Sequence, residues 1–546
     1  MAANKNSRIA LALIAALAVG QGHAAEVAGS SDTKTRDIRK VEPQAQDSRF
    51  VLRSVRVEGA KAYSAEDLSK PFAPLIGQEI AVSRVFEIAS ELTARYRRDG
   101  YILSQVVVPE QNISEGNVRL VAVEGFIDAV QVRGERSTDD AVVASHVKTL
   151  QAARPLTSAI LERELLLMND LGQSSARGTL APSARTPGAA DLVVDLARER
   201  AAASLGTNNR NSRSLGPRRV TLNLEYYGAL ASWDHISLQG GSSLNEELGY
   251  AGVGYGGLLG QSGAQWNVGV TGVRSRPGEA ANLPDNSNLK THSVSTIAQV
   301  SYPLLRSRSR NLYVRTSLTT FDGQSELLLE PLSDDRIRAV RVGVAFDAAD
   351  RGNGIDLFDA EVSQGLNGLG SRETGTASSP LSRINGDTKF TKLNVYAARL
   401  QSFGADWSGL LAITAQHAFT TLLAPELFAF GGELFGRGYD AAELVGDSGI
   451  AAKLELRYTL PIPQLAGIAT PYAFYDWGRV ERRDPINEAR DASASSWGAG
   501  VRFSGARGGV LSRVQSFIEY AAPIDLDVAA EGRRDARIFA GLQIQL

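Results

Sequence analysis

The sequence predicts two small α+β units followed by an all-β, sixteen-stranded antiparallel transmembrane barrel. Three observations carry that expectation. From about residue 201 to the end, apolar and polar residues alternate at period two in segments of about ten residues. Between residues 50 and 200, one strand–helix–helix–strand–strand order occurs twice, an internal repeat of about 75 residues. Glycine contributes 53 of the 546 residues, above the usual ~7%, beside 15 Tyr, 17 Phe and 5 Trp.

The composition excludes several classes of protein. Hydrophobic residues at 43% and charged residues at 22% exclude disorder for most of the chain. Lys+Arg at 58 against Asp+Glu at 60 gives no bulk attraction to nucleic acid. The absence of cysteine excludes disulfides, cysteine nucleophiles and thiolate metal sites. The five histidines (His23, His146, His235, His292, His417) are scattered without ligand spacing, so no metal and no cofactor is expected. At the N-terminus, Lys5 and Arg8 precede an apolar run from Ile9 to Val19, and Gly22-His23-Ala24 offers small residues for cleavage. Residues 1–24 therefore read as a signal peptide; the run falls short of the ~20 apolar residues that a membrane anchor needs. Residues 25–49 are polar and charged without period and read as a flexible N-terminal segment.

In the first unit, 50–125, Phe50–Gly59 alternates like a strand and Ser64-Ala65-Glu66-Asp67 opens a helix with a cap and early acids. Val85, Phe86, Ile88, Ala89 and Leu92 mark a helix over Val82–Tyr96, and Tyr101–Pro109 and Val118–Glu124 read as strands. In the second, 126–200, the strand Phe126–Glu135 precedes helices Thr138–Leu150 and Ser158–Leu171, then strands at Gly178–Ala181 and Ala190–Leu196. Helices on one face of a small sheet leave a sheet edge open, which suits pairing with an extended peptide; a plain spacer is the other reading.

The barrel, 201–546, rests on runs such as Val220, Leu222, Leu224, Tyr226 and Val340, Val342, Val344, Phe346. A soluble sandwich also alternates. Segments of about ten residues, however, match tilted transmembrane strands. The polar rows carry full charges (Glu225, Arg315, Arg341, Glu455, Arg457) suited to a wet lumen. Trp233, Tyr250, Trp266, Tyr302, Trp407, Trp477 and Trp497 near segment ends suit an interfacial girdle. Sixteen strands allot roughly 22 residues to each strand with its connection, and an even number returns the C-terminus to the side where the barrel begins. Long polar connections at 275–290, 366–387, 421–449, 479–495 and 523–536 alternate with short turns. The chain ends on Leu546 where such barrels usually end in an aromatic.

The longest connection holds Phe430-Gly431-Gly432-Glu433-Leu434-Phe435-Gly436-Arg437-Gly438-Tyr439, and a later segment reads Phe474-Tyr475-Asp476-Trp477-Gly478. On a strand, Phe474, Asp476 and Gly478 share one face, with Tyr475 and Trp477 on the other. The large aromatics belong toward lipid, so Asp476 points into the lumen. An arginine between glycines on a long loop can fold inward and offer that carboxylate a two-pronged guanidinium. In open water such a pair contributes under ~1 kcal/mol, whereas removing one partner of a shielded pair costs about 3–5 kcal/mol. Gly252-x-Gly254-x-x-Gly257 lacks the βαβ surroundings of a dinucleotide site, and Gly446-Asp447-Ser448-Gly449 lacks an acid partner for a serine nucleophile. Catalysis is not expected.

These motifs resemble a known family. Residues 154–172 (RPLTSAILERELLLMNDLG), followed by GTLAP at 178–182, are similar to the second POTRA domain of two-partner secretion transporters, the haemolysin-activator and filamentous-haemagglutinin exporters. Gly436-Arg437-Gly438-Tyr439 resembles the V-R-G-Y/F loop signature of the POTRA-barrel superfamily, with Gly436 in place of Val, and Phe474-x-Asp476-x-Gly478 resembles its F-x-D-x-G strand. The resemblance implies contact between Arg437 and Asp476. It further implies an outer-membrane pore with POTRA domains in the periplasm, which recognise an unfolded haemolysin- or adhesin-like exoprotein and pass it to the exterior. Outer-membrane lipid and the barrel-assembly machinery are the other implied partners; no nucleic acid is. Some relatives place a plugging helix near the N-terminus, but residues 26–49 show no amphipathic face for one. The rival reading is an insertase for other barrels; a bare diffusion porin ranks behind both.

Overall fold

The computed structural model describes residues 48–546 apart from residue 114 and segments 135–139, 279–287, 486–488, 506–511 and 526–534. The expected signal peptide and nearly all of the expected flexible segment lie outside the described residues. The described chain forms two compact bodies that divide between Arg198 and Glu199.

The first body opens with β1 (Arg49–Val51), β2 (Ser54–Glu58), α1 (Ala65–Ser69), β3 (Glu79–Ala81), α2 (Val82–Arg98), β4 (Gln105–Val107) and β5 (Asn117–Val123). Strand β5 lies between β2, which is parallel to it, and antiparallel β4. On α2 the buried residues Val85, Ile88, Ala89, Leu92 and Tyr96 recur every three or four positions and close over Leu120 and Val118. Phe86, off that stripe, is exposed. The Tyr96 hydroxyl donates to Glu124 (2.9 Å). Burial, then that carboxylate, holds the phenol above its ordinary pKa.

Three boundaries differ from the sequence expectation, each through a partner that local pattern does not reveal. Arg49, expected in the flexible segment, begins β1 because it pairs with Ala81 on β3. The expected strand Phe50–Gly59 breaks at Leu52-Arg53: Leu52 N–H turns to Gln78 O and Arg53 N–H to Gly116 O, so its halves join different sheets. Tyr101–Ser104 forms a turn, with Ser104 N–H donating to Tyr101 O, which leaves only Gln105–Val107 as strand.

The same architecture follows in β6 (Ile127–Gly134), α3 (Ala141–Ala152), α4 (Ser158–Asn169), β7 (Ser174–Pro182) and β8 (Ala190–Arg198). Strand β8 is parallel to β6 and antiparallel to β7, matching the first sheet. Helix α3 starts later than expected because Asp140 caps it, accepting from the Val142 and Val143 N–H groups; Thr138 lies outside the described residues. Strand β7 runs longer at both ends than its expected 178–181 core.

The second body is the barrel. Its strands are β9 (Ala201–Asn208), β10 (Arg219–Tyr227), β11 (His235–Ser243), β12 (Leu248–Leu258), β13 (Gln265–Ser275), β14 (Lys290–Arg306), β15 (Arg310–Leu327), β16 (Glu330–Ala349), β17 (Gly354–Gly365), β18 (Thr391–Phe403) and β19 (Trp407–Ala418). After a small hairpin of β20 (Phe428–Phe430) and β21 (Leu444–Gly446) come β22 (Ser448–Tyr458), continued by β23 (Leu460–Ile462), then β24 (Gly467–Glu481), β25 (Asp491–Gly505), β26 (Val514–Pro523) and β27 (Arg537–Gln545). With β22 and β23 counted as one pass, sixteen antiparallel strands close through pairing of β27 with β9. Closure leaves no free edge in the wall. No helix among the described residues is long and apolar enough to cross a membrane; the crossing is made by strands.

Alternation assigns the faces. Val340, Val342 and Val344 point outward and are exposed, whereas Ala339 and Arg341 are buried inside. Short turns such as 307–309, 350–353 and 404–406 lie at the end where β9 begins. The longer connections, including 366–390 and 419–447, lie at the opposite end, as expected. The aromatic girdle is partly as expected. On the outward face Trp266 packs edge-on against Tyr255 and Trp497 against Tyr520, Trp407 packs at a tilt against Tyr458, and Trp477 and Tyr302 also face out. Trp233 and Tyr250 depart from it: Trp233 is buried in the β10–β11 turn, and Tyr250 faces inward opposite Gly241. Gly252, Gly254 and Gly257 are residues of strand β12, not of a phosphate loop.

Placing a cation on the outward row tests this assignment. Val342→Lys is expected to destabilise the barrel by about 2–4 kcal/mol. The same substitution at Asn223, on the inward face of β10, is expected to change little. Urea titration of the barrel refolded into phospholipid vesicles, read by heat-modifiable gel mobility, measures both.

Candidate functional site

The sixth connection at the long-loop end, residues 419–447 and here called loop 6, folds into the barrel with an apolar core of its own. Phe428, Phe430, Phe435, Tyr439 and Leu444 pack against Ala451 of β22, Val480 of β24 and Ala494 of β25. Pairing of β20 with β21 closes the loop into a hairpin. The buried aromatics fix its course, and its polar groups then meet the inner wall at defined places.

Arg437 stands at the tip and is 4% exposed; Asp476 on β24 is fully buried. The guanidinium grips the carboxylate with both prongs, Nε to Oδ2 at 2.9 Å and Nη2 to Oδ1 at 2.8 Å. Asp476 Oδ2 also accepts from the backbone N–H groups of Gly436 (3.2 Å) and Arg437 (3.0 Å). One carboxylate thus fixes side chain and backbone of the loop together. The remaining nitrogen, Nη1, reaches Glu455 on β22 at 2.8 Å and Glu519 on β26 at 3.5 Å. Phe474 lies beneath the guanidinium, its ring centre 3.4 Å from Cζ.

A cation taken from water into such a place is tolerable only when its charge and its donors are all met. The carboxylates are met too. Glu455 also accepts from Arg457 (2.7 Å) and Arg502 (2.6 Å), and Glu519 from the Tyr472 hydroxyl (2.7 Å), with Arg210 of the first loop at 3.0 Å. Tyr439 completes the loop's attachment: its hydroxyl donates to Ser495 O (2.9 Å) and accepts from Asp525 N–H (3.2 Å).

The glycines have steric reasons. Gly436 sits at φ +82°, and a Cβ there would meet the Phe430 ring at 2.7 Å, so the valine of the related signature could not replace it without strain. On the wall, a Cβ at Gly478 would meet Phe430 Cδ2 at 2.2 Å. A Cβ at Gly438 would meet Ala522, Pro523 and Ser496 at 2.8 Å each.

All seven residues expected at the site — Gly436, Arg437, Gly438, Tyr439, Phe474, Asp476 and Gly478 — therefore meet at one place. Tyr475 and Trp477 face outward as expected. Glu519, Arg502, Tyr472 and Phe430's ring slot were not foreseen as partners. Glu455 was recognised only as an inward charge. The Gly446-Asp447-Ser448-Gly449 stretch is structural: buried Asp447 accepts from Arg383 (2.7 Å) and from the Leu422 and Arg483 N–H groups (2.7 Å each), tying loop 6 to its neighbours. Among the described residues no cluster suited to a metal ion occurs.

A sixteen-strand barrel with an arginine-bearing loop locked to its inner wall, preceded in the chain by small α+β units, defines an outer-membrane transporter of the POTRA-barrel class. Residues 188–503 match the family model described as haemolysin secretion/activation protein ShlB/FhaC/HecB, and residues 50–125 match the POTRA domain, ShlB-type. The chain belongs to that haemolysin secretion/activation family, whose members are two-partner secretion transporters. It is similar to the heme/hemopexin transporter protein HuxB of Haemophilus influenzae strain 86-028NP, at 20% identity over 492 residues covering 88% of this chain and 85% of the relative. It is also similar to the outer membrane transporter CdiB of Escherichia coli, at 22% identity over 479 residues covering 84% and 77%. The solved structure of CdiB from Escherichia coli shares the fold, with a TM-score of 0.76, 17% identity and coverage of 100% and 99%. The protein accordingly lies in the outer membrane with its N-terminal units in the periplasm, and it exports an exoprotein.

Gly478→Ala is expected to push Phe430 out of its slot and loosen loop 6. Limited trypsin digestion in detergent should then cut after Arg437, which is inaccessible in the parent. Gly272→Ala, where a Cβ meets nothing within 4 Å, should leave the digestion pattern unchanged.

Proposed function

We propose that loop 6, held by Arg437 on Asp476, governs passage of an unfolded exoprotein through this barrel. The carrying observation is that a desolvated guanidinium on a loop inside the lumen is bonded to three wall carboxylates on β22, β24 and β26. A diffusion porin has no need of such a lock. In this reading residues 126–200 are a second POTRA unit, supported by sheet pairing that matches residues 50–125. The client meets the periplasmic units as an extended chain whose backbone pairs with a sheet edge, then enters the lumen. One relative carries heme/hemopexin in its name; the client here is a haemolysin- or adhesin-like exoprotein. Outer-membrane lipid surrounds the apolar rows, and the barrel-assembly machinery inserts the chain. The protein acts as a conduit, not an enzyme, and takes no cofactor.

Arg437→Ala and Asp476→Ala are each expected to insert as heat-modifiable barrels while secretion of the exoprotein falls steeply. Removing one partner of a buried pair costs about 3–5 kcal/mol and leaves the other uncompensated. The charge-swapped double variant should recover part of the loss. Comparing exoprotein in the medium with that retained in the periplasm measures this; parent-level secretion from both single variants refutes the lock. Normal levels of other outer-membrane barrels in a strain lacking this protein would set it apart from an insertase.

A further inference from the structure

Loop 6 has another buried ionic attachment, on the wall strands that precede it in the chain. Its first limb carries a short helical turn, Ala424–Glu426, and Glu426 is buried. Glu426 Oε1 accepts from Arg341 Nη2 on β16 at 2.6 Å, and Oε2 from Lys392 Nζ on β18 at 2.7 Å. Its backbone carbonyl accepts from Lys392 Nζ (2.9 Å) and from Gln416 Nε2 on β19 (3.0 Å). Arg341, Lys392 and Gln416 are all buried, and Glu361 on β17 is the other carboxylate near this pair of cations. Leu422 and Leu423 of the same limb pack with Phe390, Ile337 and Ala339. This foot stands on β16, β18 and β19; the Arg437 foot stands on β22, β24 and β26.

We propose that Glu426 is a positioning residue for export: its ionic foot fixes the first limb of loop 6 to the β16–β19 wall, so that Arg437, eleven residues on, meets Asp476. The inference rests on the reading of loop 6 as governing passage. Its logic is mechanical. Tyr439 and Asp447 also tie the loop; Glu426 adds the tie that sets its first limb against the inner wall at β16 and β18, and without it that limb can shift and carry the hairpin with it. A chain crossing the lumen must displace part of the loop, and the foot that remains bonded brings it back. The carboxylate suits this task because it is shared by two cations on different strands, which defines its position in two directions.

Glu426→Gln tests the charge with little change of shape, since the amide oxygen can still accept from Arg341. A packing role predicts parent behaviour for Gln and loss only for Ala. The positioning role predicts that Gln and Ala both keep a heat-modifiable barrel, both become at least about tenfold more sensitive to trypsin after Arg437, and both show raised open-channel conductance in planar bilayers. Glu426→Asp, which keeps the charge, should fall between Gln and the parent. Exoprotein secretion should drop in the order Asp, Gln, Ala. Parent-like proteolysis and conductance for Glu426→Gln overturn the proposal, as does a Gln variant that fails to form a barrel. Proteolysis and conductance are read without any client. If they shift while secretion does not, the foot positions the loop and it is the role of loop 6 in passage that fails.

Discussion

A guanidinium buried inside a membrane barrel is the constraint from which much else in this structure follows. Left unpaired, it would be driven back to water, and the loop with it. Asp476 prevents this by accepting from both prongs and from two backbone N–H groups. The backbone bonds require the chain at Gly436 to turn through a positive φ, and they require the wall at Gly478 to be bare, so that Phe430 can lie flat beside it. The glycines, the aromatic slot and the carboxylate are thus one solution to one electrostatic problem.

The barrel wall has two jobs that alternation keeps separate. The outward row meets lipid and is satisfied by valine, leucine and a partial aromatic girdle, with little specificity at any one position. The inward row carries the arrangement. Gly498 and Gly500 of β25 leave space that the rings of Phe474 and Tyr472 fill, and Tyr472 in turn supports Glu519. Because neighbouring residues on a strand point to opposite sides, the lipid-facing row can vary without disturbing the charge network behind it.

This division also explains what was legible in the sequence. Period-two alternation is local, so the barrel could be read directly, its strand number from the residues allotted to each pass and its long-loop end from the polar connections. Asp476 and Arg437 lie 39 residues apart, yet each sits in a short pattern with its own physical logic, a carboxylate on the inward row and an arginine between glycines. Glu519 was not legible: 82 residues separate it from Arg437, and one inward glutamate on a strand looks like any other. Glu426 shares a loop with Arg437 but gives no local sign of Arg341 and Lys392, which closure of the wall brings to it. The break at Leu52-Arg53 was hidden for the same reason, since its cause is a change of hydrogen-bond partner, not of residue type.

The loop's two kinds of attachment differ in what it takes to undo them. Apolar packing between the loop core and Ala451, Val480 and Ala494 falls off gradually with separation and re-forms wherever the surfaces meet again. The bidentate bond from Arg437 to Asp476 is directional: a small displacement misaligns both prongs, and the freed charges then need water or another partner. If loop 6 yields to a passing polypeptide as proposed, that chain brings no fixed carboxylate of its own, and only water admitted with it would solvate what the loop gives up. Without that water the unpaired charges are again costly. In the proposed role of loop 6, a lock made of buried ions is therefore weakest where water reaches it and strongest where water is excluded, so desolvation favours the bonded position seen here.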